Sequence, residues 1–186
     1  FMKYFLDIWF YKFLIMKIVL LGYMGSGKST IGKYLAEELQ LPFIDLDNYI
    51  EEQENATINE IFKLKGEIYF RKKEAAYLID VLNNKENYVL SLGGGTPCYA
   101  NSINEILSSN VQSFYLKASI KTLFNRLRNS DNSRPLIEGF TDDQLFEYLG
   151  KHLFERAPFY EQANHKINIE NLSIKQIAIN IIEQLH

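Results

Sequence analysis

The chain has 186 residues, 47% hydrophobic and 23% charged, with 20 basic and 23 acidic side chains and a formal net charge of −3. That length suits one domain with a sizeable core, and the mild acidic excess, without a basic cluster interleaved with aromatics, argues against nucleic-acid binding. A single cysteine, Cys98, excludes an internal disulfide and fits a reducing compartment, so a cytoplasmic location is expected.

Residues 1–15 are strongly aromatic, but Lys3, Asp7 and Lys12 break the run. It lacks the apolar core and small-residue cleavage site of a signal peptide, and it is too short to span a bilayer as a helix. It reads as an extension ahead of a single domain over 16–186; the alternative is an amphipathic segment for a membrane or a partner. No other stretch approaches a membrane span, so no membrane role is expected of the domain.

An apolar strand over 17–21 leads into Gly22-Tyr-Met-Gly25-Ser26-Gly27-Lys28-Ser29, which fits G-x-x-x-x-G-K-[ST]. A helix over 29–39 follows, with Ile31, Tyr34, Leu35 and Leu39 at helical spacing. Strand, glycine loop and helix together make an anion nest: backbone N–H groups turn inward and the helix adds its N-terminal partial charge. Lys28 is placed to reach the β/γ-phosphates of a nucleotide, and the Ser29 hydroxyl to sit on Mg²⁺. The motif does not say where the phosphate goes.

A second strand over 42–46 ends in Asp45-Leu-Asp47. Alternation puts both carboxylates on one side of the strand, and ligands of open parallel sheets gather beyond the strands' carboxyl ends. One carboxylate suits the metal sphere and the other an acceptor hydroxyl; the alternative is a pair of turn aspartates. Helices are expected over 58–64, opened by a capping box at Thr57–Glu60 and stopped at Gly66, and over 67–82. Arg71 stands three residues before Glu74, close enough for the carboxylate to hold the guanidinium, and an oriented Arg grips carboxylates bidentately. Taken alone, the pair is also an ordinary surface pair.

The third strand, over 88–92, leads into Gly93-Gly94-Gly95, which implies either close approach of a ligand to the backbone or a strained turn. Cys98 behind it reads as a space-filling residue. A helix over 101–108, a strand over 112–116 and a helix over 120–128 follow. The polar stretch over 129–141, with Arg134, Pro135 and Gly139, is long enough to be a functional lid. A helix over 142–156, a strand over 166–169 and a helix over 173–185 end the chain. Strands alternating with helices imply a three-layer α/β sandwich on a five-stranded parallel sheet. His152, His165 and His186 share no metal-ligand spacing with each other or with Cys98.

In this order the motifs resemble those of the shikimate kinases: Gly22–Ser29 with Thr30, Asp45-x-Asp47, Ile61-Phe62 with Gly66-Glu67, Phe70-Arg71-x-x-Glu74, Gly93-Gly94-Gly95, Arg134-Pro135-Leu136, and Arg156 followed by Tyr160. The match runs from Met16 to about Ala163; residues 1–15 are no part of it, and Ile137 replaces a commoner Leu. The resemblance implies the nucleoside-monophosphate-kinase fold, with strand order 2-3-1-4-5 and a lid. It implies ATP-dependent phosphorylation of the 3-hydroxyl of shikimate, a step toward aromatic amino acids, by a monomer whose partners are ATP, Mg²⁺ and shikimate.

By the same resemblance, Gly25, Ser26, Gly27, Lys28, Ser29 and Thr30 bind ATP, and Ser29 and Asp45 hold Mg²⁺. Asp47 binds the acceptor's hydroxyls and helps take the proton. Arg71 and Arg156 clamp the shikimate carboxylate, the Gly93–Gly95 backbone faces the same ligand, and Phe62 and Phe70 pack its ring. Arg134 swings in with the lid as a catalytic cation. An Arg before the lid stacks on adenine; Arg126 and Arg128 compete for that place, and Arg126 is favoured. Rival readings are a gluconate or nucleotide kinase of the same fold, or a P-loop switch without turnover. Asn84-Lys85-Glu86-Asn87 lacks the Asp of guanine-specific switches.

Overall fold

The computed structural model describes residues 16–129, 137 and 139–185. The expected extension over 1–15, Arg134 and most of the expected lid lie outside the described residues.

β1 (Lys17–Leu21) is buried at every position, as befits a strand covered on both faces. It pairs in parallel with β3 (Tyr88–Ser91) on one side and β4 (Gln112–Lys117) on the other, with Val19 beside Leu90 and Ser113. β2 (Phe43–Asp45) joins β3, and β5 (His165–Asn168) joins β4, both in parallel. The order among the described residues is β2-β3-β1-β4-β5, as the resemblance implies.

Parallel neighbours need crossovers, and helices supply them. α1 (Lys28–Leu39) links β1 to β2, and α2 (Leu46–Glu54) and α3 (Ile58–Leu82) link β2 to β3. α4 (Ser102–Ser108) precedes β4, α5 (Ile120–Arg128) and α6 (Asp142–Tyr160) lie between β4 and β5, and α7 (Ile174–Glu183) follows β5. The core includes Ile18, Leu20, Leu35, Leu90, Phe114 and Ile181, none of them more than marginally accessible to water. Because the chain crosses from one side of β1 to the other after β3, the carboxyl ends of β1, β2 and β3 face one crevice.

Three elements differ from the sequence expectation. α2 was not expected: Asp45 ends β2 and caps α2 in one residue, its carboxylate accepting the Asp47 N–H. The two helices expected around Gly66 run on as one, α3, kinked where Gly66 takes φ 79° and ψ 170°, a conformation only glycine tolerates. Its capping box at Thr57 and Glu60 forms in both directions. α6 continues past Arg156 to Tyr160 although Pro158 lacks the N–H for the bond four residues back; Tyr160 is fully buried and anchors that last turn.

Candidate active site

Gly22 to Gly27 turn the chain from β1 into α1. Gly27 is the N-cap of α1 at φ 92°, left-handed backbone that a side chain would strain. The Lys28 ammonium folds back and donates to the carbonyls of Gly22 (2.8 Å) and Tyr23 (3.1 Å). Gly25 and Ser26 offer their carbonyls to the Arg126 guanidinium, at 3.3 and 3.0 Å. Arg128 turns elsewhere, to Asp142 and the Phe140 carbonyl. Of the two arginines that compete in sequence, Arg126 is the one on the loop. The Ser29 hydroxyl, with Thr30 exposed beside it, donates to Asp45 Oδ2 at 2.7 Å and lies 3.4 Å from the Ser91 hydroxyl. These are hard oxygen donors at a phosphate-binding loop, a set that fits Mg²⁺, which takes few protein ligands and completes its sphere with phosphate and water.

Asp45 and Asp47 do not alternate along a strand. Asp47 belongs to the first turn of α2, its N–H donating to the Asp45 carboxylate whose other oxygen accepts from Ser29. The Asp47 side chain reaches Gly93: a Cβ on Gly93 would sit 2.8 Å from Asp47 Oδ1 and 3.3 Å from Glu74 Oε1. Burial first, then the carboxylates of Asp45 and Glu74, push the Asp47 pKa from 3.8 up to about 6, against the pull of the Lys28 ammonium.

The three glycines are explained by what approaches them. A Cβ on Gly94 would press on the Met24 N–H at 3.2 Å, and one on Gly95 would meet the Arg71 guanidinium at 3.0 Å. The backbone is bare where a carboxylate, the phosphate loop and a guanidinium converge on it, which leaves no room for a side chain at any of the three positions. Gly94 also accepts the Tyr160 hydroxyl through its carbonyl. Arg71 donates to Glu74 at 2.7 Å, as its spacing suggests, and its guanidinium lies 4.1 Å from the centre of the Tyr99 ring. Glu74 is buried and takes a second bond, 2.7 Å, from the Thr96 hydroxyl.

Arg156 reaches the same region from α6, its guanidinium 5.7 Å from the centre of the buried Tyr23 ring. Cys98 lies in the field of both Arg156 and Arg71; burial nonetheless raises its pKa to about 11, so it is an unreactive thiol, as a space-filling role requires. Phe62 and Phe70 pack at 4.6 Å across the Gly66 kink, Phe70 buried and Phe62 at the surface.

One crevice thus holds an anion nest, a hydroxyl–carboxylate pair, a second carboxylate with a raised pKa, and two guanidinium groups beside a glycine turn. That arrangement can bind a polyphosphate on one side and a small carboxylated alcohol on the other. Sequence reading missed Ser91, Thr96, Tyr23 and Tyr99. The only sequence signal for Ser91 was its place at the carboxyl end of the third strand; its pairing with Asp45 shows only in the sheet. The two tyrosines owe their place to contacts distant in sequence. Among the described residues no three His, Cys, Asp or Glu side chains gather as a metal site, and no helix is long and apolar enough to cross a membrane.

A family model described as "Shikimate kinase" matches residues 24–186. The shikimate kinase of Flavobacterium johnsoniae is 47% identical over 169 residues, covering 91% of this chain and 98% of that protein. Among solved structures, the shikimate kinase of Bacteroides thetaiotaomicron superposes with a TM-score of 0.87 at 38% identity, covering 91% of this chain and 98% of the other. That of Acinetobacter baumannii, in complex with shikimate, gives 0.82 at 30% identity and covers 96% of each chain.

Proposed function

The chain belongs to the shikimate kinase family, and from that membership we propose that it transfers the terminal phosphoryl group of ATP to the 3-hydroxyl of shikimate, forming shikimate 3-phosphate. The observation that carries the reading at the site is the convergence of Asp47, Arg71 and the glycine turn beside the phosphate loop.

Phosphoryl transfer needs positioning and charge neutralisation more than covalent chemistry. The loop from Gly25 to Gly27, with Ser26, Lys28 and Thr30, binds the nucleotide phosphates; Lys28 exchanges its carbonyl partners for phosphate oxygens. Arg126 lies against the loop and serves adenine. Ser29 and Asp45 hold Mg²⁺, which when bound screens charge on the transferring group. Asp47 receives the acceptor hydroxyl and, with a pKa near 6, is ionised at neutral pH yet basic enough to accept a proton. Arg71, fixed by Glu74, and Arg156 grip the ring carboxylate. Gly93 to Gly95 line the ligand, and Phe62 and Phe70 cover its apolar face. For Arg134 and the lid over about 129–141 the reading rests on the resemblance alone, which implies a catalytic cation for the phosphates. The same membership supports a monomer in the cytoplasm.

ADP release with ATP and Mg²⁺ should depend on added shikimate. A folded protein that binds ATP but shows no stimulation by shikimate would overturn the reading. Arg71→Lys loses the planar fork; it should raise the KM for shikimate about tenfold or more while the KM for ATP stays within about twofold.

A further inference from the structure

Glu54, the last residue of α2, lies outside every role given above, yet its side chain is only 5% exposed and takes four donors. Lys65 (3.0 Å) and the Tyr69 hydroxyl (2.7 Å) donate to Oε2; Lys73 (3.0 Å) and the Tyr77 hydroxyl (2.8 Å) donate to Oε1. All four come from α3, and they straddle its kink. Lys65 immediately precedes Gly66, whereas Tyr69, Lys73 and Tyr77 follow it. A carboxylate with both oxygens engaged by two ammonium groups and two phenols is a stiff junction, since charge-assisted bonds are the strong ones. Those bonds, the Tyr69 hydroxyl's first, hold Glu54 well below the usual carboxylate range.

The kink matters because the groups assigned to the acceptor sit on both sides of it: Phe62 before, and Phe70 and Arg71 after. Gly66 supplies the kink through its backbone, and a Cβ there would meet nothing within 4 Å, so no side chain packs against that face of the hinge. α2 in turn carries Asp47 in its first turn, and Glu51 on the same helix accepts the Ile58 N–H at the start of α3, 2.8 Å away.

We infer that Glu54 is a positioning residue for the acceptor: it clamps the two halves of α3 to α2 at one angle, and so fixes Phe62 against Phe70 and Arg71. The inference rests on the acceptor site proposed above. Its specific consequence is an asymmetry. Lys65 is the clamp's only Glu54 donor before the kink among the described residues, while Lys73 shares its half with two tyrosines.

Lys65→Met and Lys73→Met separate the roles, since both lysines are partly exposed, at 42% and 38%, and either change should leave a folded chain. The measurement is the KM for shikimate, with calorimetric shikimate binding without ATP as a second readout. Lys65→Met should raise both KM and Kd about fivefold or more, with kcat and the KM for ATP within about twofold, because a loosened platform weakens binding of one substrate. Lys73→Met should stay within about twofold on every measure. Equal effects of the two substitutions, or no effect of Lys65→Met, would overturn the inference and leave the function standing. An unaltered chain that neither binds nor turns over shikimate would remove the function, and the inference with it.

Discussion

The role proposed for Asp47 asks a carboxylate to carry charge in a place that disfavours it. Its pKa of about 6 reflects burial and the carboxylates of Asp45 and Glu74. An acid whose pKa is higher folded than unfolded binds more protons in the folded state between about pH 4 and 6, so its ionisation erodes stability as pH rises through that window. Asp47→Asn cannot ionise. In urea denaturation it should be more stable than the unaltered chain at pH 7.5, by on the order of 2 kcal/mol, and equally stable near pH 3.5. Its turnover should fall about 100-fold or more. In the unaltered chain kcat/KM for shikimate should decline below about pH 6, as Asp47 takes up its proton. An Asp47→Asn chain no more stable at pH 7.5, or a flat profile through pH 6, would contradict this account of the residue. That both aspartates lie at the carboxyl end of the second strand beside the phosphate loop was legible in the sequence, but their geometry was not. Asp-Leu-Asp satisfies a strand's alternation and a helix cap equally, and three residues cannot separate the two periods.

At the scale of elements, the sequence showed most clearly what is local. The box at Thr57–Glu60 forms as its letters suggest, and the same chemistry, with Gln at the third position, opens α6 at Thr141–Gln144 and α7 at Ser173–Gln176. Gly66 was legible as an interruption but not as a hinge. Whether a helix stops or bends there depends on what ties the following turn, and those ties run to Glu54, remote in sequence from Tyr69 and Tyr77. α2 is only nine residues long, and although Leu46, Tyr49 and Ile50 stand at helical spacing, one turn of apolar residues followed by the polar Glu51–Glu54 is too short a run to show a period. Gly66→Ala tests the kink through the backbone alone, since a Cβ there has open space around it but would be held at φ 79°. It should lower stability by about 1–3 kcal/mol in urea denaturation. No loss would mean that α3 straightens at little cost.

At the scale of the molecule, strand and helix content could be read from periodicity, but strand order could not. It followed from the resemblance and agrees with the sheet. That order decides function. β1 lies between β3 and β4, so the phosphate loop leaves the sheet centre beside the glycine turn after β3 and the capped aspartate after β2. On the proposed reading the nucleotide and acceptor halves meet because three carboxyl ends share one crevice. The clustering of Arg71, Arg156, Tyr23 and Tyr99 there arises from long-range packing that no local pattern displays.

The most direct test of the whole account is kcat/KM for three acceptors, by ADP release with ATP and Mg²⁺: shikimate, gluconate and AMP. The chain should favour shikimate by about 100-fold or more over either alternative, because the roles proposed for Arg71, Arg156 and Asp47 call for a carboxylated ring alcohol. Equal or faster turnover with gluconate or AMP, or ADP release indifferent to any acceptor, would contradict it.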